Sequence, residues 1–132
     1  GVAGRVLFPG QVQMAQWYGA ADLAVSASRS EGLPFNIMEA MYCGLPVVAS
    51  RVKGHTDLLE ESGAGLLYPY RDCPACAGCV QELIQDRELA ERMGERGRQA
   101  VQAYALDRVQ PVVMAQYGSL VPLEQPASAG VM

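Results

Sequence analysis

Short apolar runs closed by glycine or proline alternate along this chain with longer segments of helical spacing. Val47-Val48-Ala49 is wholly apolar, as expected of a parallel strand covered on both faces. Arg5-Val6-Leu7-Phe8, ended by Pro9-Gly10, and the run from Ala21 to Ser28 read as strands. Gly65-Leu66-Leu67-Tyr68, ended by Pro69, reads as another. Met14, Trp17 and Tyr18 form an inward stripe on a short helix over residues 12–20. Residues 57–61 read as a helical turn closed by Ser62-Gly63-Ala64-Gly65. Helices are predicted over 74–85, 88–103 and 107–117, with Glu82, Glu88, Glu91, Arg92, Glu95, Arg96 and Arg98 as a solvated face. Residues 118–132 carry two prolines, small residues and no periodicity, and are expected to form a disordered tail. Strands alternating with helices predict an α/β layer, a parallel sheet of three to four strands with helices on its faces.

The segment from Pro34 to Cys43 departs from the usual amphipathic pattern. Only Asn36 and Glu39 are clearly polar there, so a buried helix is expected. Pro34 suits the first helical position, where a missing N–H costs nothing. Gly44 suits the left-handed residue past the helix end, and Pro46 prevents the helix from resuming. A carboxylate in the middle of a buried helix is costly unless a partner satisfies it. Glu31 lies just before the helix, eight residues ahead of Glu39. Glu39 falls roughly 8 Å along the axis from Pro34. Between the two lie the unpaired N–H groups of the first turn, which suit a phosphate. A ligand with phosphate in its middle and hydroxyls at both ends, such as a nucleotide-diphosphate sugar, satisfies all three. The plainer alternative is a glutamate held for structure by an arginine.

The loop that carries Glu31 follows a strand, and ligands of open parallel sheets bind at the carboxyl ends of strands. A second such loop, Ser50-Arg51-Val52-Lys53-Gly54-His55-Thr56-Asp57, follows the Val47 strand. His55, the sole histidine, reads there as an exposed loop residue, and Lys53 as a solvated one.

Composition narrows the function classes. With 132 residues, half of them hydrophobic, the chain can bury one modest core. A net charge of −4 without a basic run argues against nucleic acid or an anionic membrane as the main partner. No apolar run reaches the roughly 18–20 residues of a membrane span. The chain opens Gly-Val-Ala-Gly-Arg without Met, and is expected to be a piece of a longer polypeptide. Cys73, Cys76 and Cys79 form a Cys-x-x-Cys-x-x-Cys run that lacks a close fourth ligand, and Cys43 stands apart. Reduced thiols in or near the core are the favoured reading over a metal or redox role, and a reducing, cytoplasmic setting fits both. No Asp-x-Asp pair is present, so no divalent metal is expected at a diphosphate.

Glu31-Gly32-Leu33-Pro34, Glu39-Ala40-Met41 and Gly44-Leu45-Pro46-Val47-Val48-Ala49 together resemble the signature of family 4 glycosyltransferases, the large retaining GT-B group. The resemblance runs in order from about Phe8 to Tyr117. It implies that residues 1–117 are part of the Rossmann-like, C-terminal, donor-binding domain of a GT-B fold. It implies transfer of a sugar, with retention, from a nucleotide-diphosphate donor to an acceptor hydroxyl. By this resemblance Glu31 is the catalytic candidate and holds hydroxyls of the donor sugar. Gly32 and Leu33 offer backbone amides, and Phe35 and Asn36 supply the first helical amides to the phosphates. Glu39 accepts hydrogen bonds from the ribose. Gly10 and Gln11 open a loop near the base, or form an ordinary turn. Asp22 matches the family's Ala-Asp-hydrophobic pattern, or caps a loop. Where most of the family carry Gly-Gly-x-x-Glu this chain has Lys53-Gly54-His55-Thr56-Asp57, with a His for one Gly and an Asp for the Glu, and its Gly-His-x-Asp form resembles that of enzymes that assemble bacterial capsular and exported polysaccharides.

A UDP-sugar is the family's commonest donor. In the family a basic Arg and Lys pair meets the diphosphate and an N-terminal domain binds the acceptor. Neither lies in these residues, so the chain alone is expected to be inactive, while the longer enzyme leaves room for peripheral membrane association. The competing expectations are a non-catalytic nucleotide-sugar-binding or docking module that pairs with a separate chain, and a GT-B-like sugar-nucleotide epimerase.

Overall fold

The computed structural model describes residues 1–120. Three short parallel strands, β1 (Ala24–Ser26), β2 (Val47–Ser50) and β3 (Gly65–Tyr68), lie side by side in that order. Ala24 stands beside Val47, and Val47 beside Gly65. Around the sheet run α1 (Met14–Tyr18), α2 (Phe35–Tyr42), α3 (Lys53–Ser62), α4 (Cys73–Gln85), α5 (Arg87–Val101) and α6 (Leu106–Leu120). Short 3-10 turns occur at Ala3–Arg5 and Gln102–Tyr104.

The central strand explains its own composition. All four residues of β2 are buried. Val47 and Ala49 join Ile37 and Met41 of α2 and Leu58 and Leu59 of α3 on one side of the sheet. Val48 joins Tyr68 and Leu83 on the other. Each valine-sized side chain so buried contributes roughly 1.5–3 kcal/mol.

The end of α2 is built as its sequence predicts. Gly44 has φ +78°, the Leu45 N–H donates to the Ala40 carbonyl, and the Gly44 N–H donates to the Met41 carbonyl. This paired arrangement satisfies the last carbonyls of the helix and aims the chain into β2. Helix α5 crosses at the same point. A Cβ on Gly94 would lie 2.1 Å from the Gly44 carbonyl oxygen, so only glycine permits the crossing.

Several boundaries differ from expectation. Residues 5–8 are not a strand: after the Ala3–Arg5 turn, Val6, Leu7 and Phe8 are 49%, 71% and 89% exposed. Among the described residues β1 pairs only with β2, so this apolar run has no neighbour to bond with. The helix of residues 12–20 is confined to α1, and the strand of 21–28 to β1. Pro34 is the capping residue of α2 rather than its first helical residue. Helix α2 is also not buried all round. Ile37, Ala40 and Met41 face the core, whereas Phe35, Asn36, Glu39, Tyr42 and Cys43 are exposed. Its outer face is apolar and unpartnered beside one carboxylate, which composition alone reads as burial.

The second loop is shorter than expected, because α3 begins at Lys53 and absorbs Gly54 to Asp57. Helix α6 takes in Gly118, Ser119 and Leu120, where a tail is expected. The remainder of that expectation, residues 121–132, lies outside the described residues. No helix among the described residues is long and apolar enough to cross a membrane.

Candidate functional site

Parallel strands bring their carboxyl ends to one edge of the sheet, and the Glu31 loop and the start of α3 meet there. The Gly54 N–H donates to the Glu31 carbonyl at 3.1 Å. A Cβ on Gly54 would lie 2.4 Å from the Gly32 carbonyl oxygen and 2.7 Å from that of Glu31. Backbone therefore packs on backbone, and the first turn of α3 holds the Glu31 loop in place. The half-buried Glu31 carboxylate accepts a hydrogen bond from Ser28 Oγ at 2.6 Å. Neither Glu31 nor Glu39 is in an ion pair among the described residues, so the arginine-held alternative is not what the structure shows.

His55 is fully buried, not an exposed loop residue. Gly54 draws the first turn of α3 against the sheet, and the next side chain points beneath the strand ends. His55 Nδ1 lies 2.8 Å from the Ser50 carbonyl and Nε2 lies 3.3 Å from Ser26 Oγ. Ser50 Oγ donates to the Ser28 carbonyl at 2.6 Å, and the Tyr68 hydroxyl donates to the Ser26 carbonyl at 3.2 Å. Burial raises the Tyr68 hydroxyl pKa to about 12, reinforced by the Cys76 thiol beside it. No buried side-chain polar atom among the described residues is left without a partner. Sequence reasoning missed Ser26, Ser28 and Ser50. Their signal was polar residues closing otherwise apolar runs: Ser26 and Ser50 end β1 and β2, and Ser28 lies two residues after Ser26.

Glu39 sits on the exposed face of α2. The Tyr18 hydroxyl donates to the Asn36 carbonyl at 3.0 Å and lies 3.4 Å from Glu39 Oε2. Burial and the nearby Glu39 carboxylate both push the Tyr18 pKa up. Beside Glu39 opens a groove of about 670 Å³, lined among others by Met14, Tyr18, Phe35, Met38, Tyr42 and Tyr104. Aromatic walls next to one carboxylate can take a flat ring and a diol together.

The other candidate residues divide between this site and the rest of the surface. Gly32, Leu33, Phe35 and Asn36 are exposed at the mouth of α2. The Ile37 and Met38 amides both donate to the Pro34 carbonyl, while those of Phe35 and Asn36 have no backbone acceptor among the described residues. Gly10 has φ +72° and is exposed, with Gln11, three residues before Gln13 at the groove's edge. Asp22 precedes β1 and lies at the opposite end of the strand from Glu31. Lys53 is exposed and paired with Asp57. All four thiols are unbridged. Cys43 is exposed; of the run, Cys73 is exposed, contrary to the core or near-core reading, and Cys76 and Cys79 pack half-buried near Tyr68. No group of three or more His, Cys, Asp or Glu among the described residues could hold a metal ion.

Known proteins share this fold. The family model described as "Glycosyl transferases group 1" matches residues 1–86. The chain is 35% identical over 98 residues to N-acetyl-alpha-D-glucosaminyl L-malate synthase of Bacillus anthracis, covering 74% of this chain and 26% of that protein. It is 35% identical over 104 residues to a sulfoquinovosyl transferase of Arabidopsis thaliana, covering 74% of this chain and 20% of that protein. Its fold superposes on sucrose-phosphate synthase from Thermosynechococcus elongatus with a TM-score of 0.84 and 33% identity, covering 90% of this chain and 31% of that one. Anabaena HepE, solved in complex with UDP and glucose, gives a TM-score of 0.82 at 25% identity over 89% of this chain and 33% of its own. The three-stranded parallel sheet with flanking helices is thus part of a GT-B glycosyltransferase fold. The chain spans about a quarter of the first curated relative's length, and about a third of these solved chains.

Proposed function

Because the chain belongs to the group 1 glycosyl transferases, we propose that it forms the donor half of a transferase whose substrate is a nucleotide-diphosphate sugar. The observation that carries this reading is that two carboxylates, Glu31 and Glu39, flank the α2 amino end and neither is held by a cation among the described residues. Glu31 accepts hydrogen bonds from hydroxyls of the donor sugar. The amides of Gly32, Leu33, Phe35 and Asn36 meet the diphosphate, where the positive end of the helix favours anionic charge. Glu39 accepts from the ribose diol, and the base lies along the aromatic groove, with Gly10 and Gln11 at its approach. A uridine donor is the reading favoured by the UDP and glucose complex of HepE.

In the reaction the bond between the sugar's anomeric carbon and the diphosphate oxygen breaks, and the electron pair leaves with the nucleoside diphosphate. An acceptor hydroxyl oxygen bonds to the same carbon on the same face and gives its proton to the departing diphosphate. Stabilising the departing diphosphate is the main electrostatic task. Relatives act in lipopolysaccharide core biosynthesis, and a role in assembling a bacterial polysaccharide follows by analogy. The unbridged thiols fit a cytoplasmic reaction. The chain spans about a quarter of the first curated relative, and we place acceptor binding outside the matched part, so the 132-residue chain alone is proposed to bind donor without turning it over.

Calorimetry on the complete gene product across a panel of nucleotide sugars tests the assignment. Glu39→Ala is expected to weaken nucleotide and donor alike, and Glu31→Ala only the sugar-bearing donor. Wild-type affinities in both variants would remove the site reading.

A further inference from the structure

Within the same site, three side chains that the roles above do not use, His55, Ser26 and Ser28, form a line that ends on Glu31. His55 Nδ1 is 2.8 Å from the Ser50 carbonyl oxygen, which can only accept, so Nδ1 carries a proton. Nε2 is 3.3 Å from Ser26 Oγ, Ser26 Oγ is 3.3 Å from Ser28 Oγ, and Ser28 Oγ is 2.6 Å from Glu31 Oε1. A carboxylate accepts only, so the Ser28 proton points at Glu31; the line is then continuous in one direction, with Nε2–H donating to Ser26 Oγ and Ser26 Oγ–H donating to Ser28 Oγ, which takes an imidazole carrying a proton on both nitrogens. The frame around the line is rigid. Ser50 Oγ holds the Ser28 carbonyl, the Tyr68 hydroxyl holds the Ser26 carbonyl, and the Gly54 amide holds the Glu31 carbonyl.

We propose that His55 is a positioning residue for Glu31, acting through the Ser26 and Ser28 hydroxyls, and that this relay sets the discrimination for the donor sugar. The relay occupies Oε1 and fixes the carboxylate plane. That leaves Oε2, which has no hydrogen-bond partner among the described residues, as the oxygen presented to the sugar. A carboxylate held in one plane discriminates between hydroxyl configurations, whereas a rotating one accepts from either. The imidazole suits this task better than a hydroxyl or amide of similar reach. It spans from the Ser50 carbonyl in β2 to the Ser26 hydroxyl in β1, locking two strands and the first turn of α3 to one geometry. The proposal rests on the assignment of Glu31 to the donor sugar, and its test separates the two.

The measurement is affinity of the complete gene product for UDP and for a panel of UDP-hexoses, in wild type, Glu31→Gln, His55→Asn, Ser26→Ala, Ser28→Ala and Ser28→Thr. Asn at residue 55 keeps a donor for the Ser50 carbonyl and removes only the Nε2 end. Ser26→Ala removes one hydroxyl and nothing else, so a folding defect in one variant is exposed by the other. UDP affinity serves as the control for an intact nucleotide site. The relay predicts that His55→Asn, Ser26→Ala and Ser28→Ala each weaken the preferred UDP-hexose by about 3- to 10-fold, the size of one lost hydrogen bond, with UDP affinity unchanged. It predicts that the ratio between preferred and disfavoured hexoses shrinks, and that Ser28→Thr restores it. A sugar-selective loss in Glu31→Gln without any in His55→Asn and Ser26→Ala overturns the relay and leaves the donor site standing. No loss in Glu31→Gln overturns both.

Discussion

The α-carbon of Gly54 faces the carbonyl oxygen of Gly32 so closely that a Cβ would lie 2.4 Å from it. Helix α3 and the Glu31 loop therefore meet as bare backbone, and the amide of Gly54 bonds the carbonyl of Glu31 across the contact. Gly54→Ala is expected to force the two apart and to cost about 1–3 kcal/mol of stability by overpacking. Urea unfolding measures the loss, and donor titration should show a weaker sugar contact in the same variant. Unchanged stability would mean that the junction yields without strain.

The crossing of α5 over the end of α2 makes a paired prediction. Gly94→Ala places a Cβ 2.1 Å from the Gly44 carbonyl, whereas Gly78, on the open side of α4, has nothing within 4 Å. The first substitution is expected to destabilise by about 1–3 kcal/mol. The second is expected to stabilise by roughly 0.5–1 kcal/mol, because alanine loses less backbone freedom than glycine in a helix. Thermal melts of the two variants should move in opposite directions.

Tyr18 links α1 to the site, through its bond to the Asn36 carbonyl and its approach to Glu39. Tyr18→Phe keeps the ring in the core and removes the hydroxyl. It is expected to cost about 1 kcal/mol in stability and to weaken nucleotide binding with no change in the preference among sugars. A change in sugar preference would place Tyr18 at the wrong carboxylate.

Tyr68 makes the structure sensitive to alkali. Its pKa, raised by burial to about 12, lies above the ordinary tyrosine value of 10.0 that applies when the chain is unfolded. The unfolded state therefore releases this proton first as pH rises. Stability is fully present below about 10 and is lost as pH climbs toward 12. Tyr68→Phe should flatten the fall of the melting temperature across that window, while being less stable at neutral pH for want of the bond to the Ser26 carbonyl.

The order of elements was legible in the residues because each carries its own local signal. Gly44 and Pro46 end α2, Val47 to Ala49 have no polar side chain to expose, and the Gly63 turn closes α3. The composition of α2 drew attention to Glu39 for a reason the fold did not keep: the helix that was to bury it leaves that face exposed. The apolar run at residues 5–8 misled as well. Hydrophobicity marks a segment that can pair, but pairing needs a neighbouring strand, and among the described residues none stands beside it.

His55 shows where local reasoning ends. Nothing in Lys53-Gly54-His55-Thr56-Asp57 says that the histidine is buried, because its burial depends on how closely α3 approaches a loop more than twenty residues earlier. The sequence by itself determined the strand–helix alternation, the ends of α2 and the carriers of charge, which are matters of spacing, capping and composition. Only the tertiary structure decided that Ser26, Ser28 and His55 line up on Glu31, and that one face of α2 stays open as a groove. Those outcomes depend on the contact distance between distant backbones, and a chain's local pattern does not encode that distance.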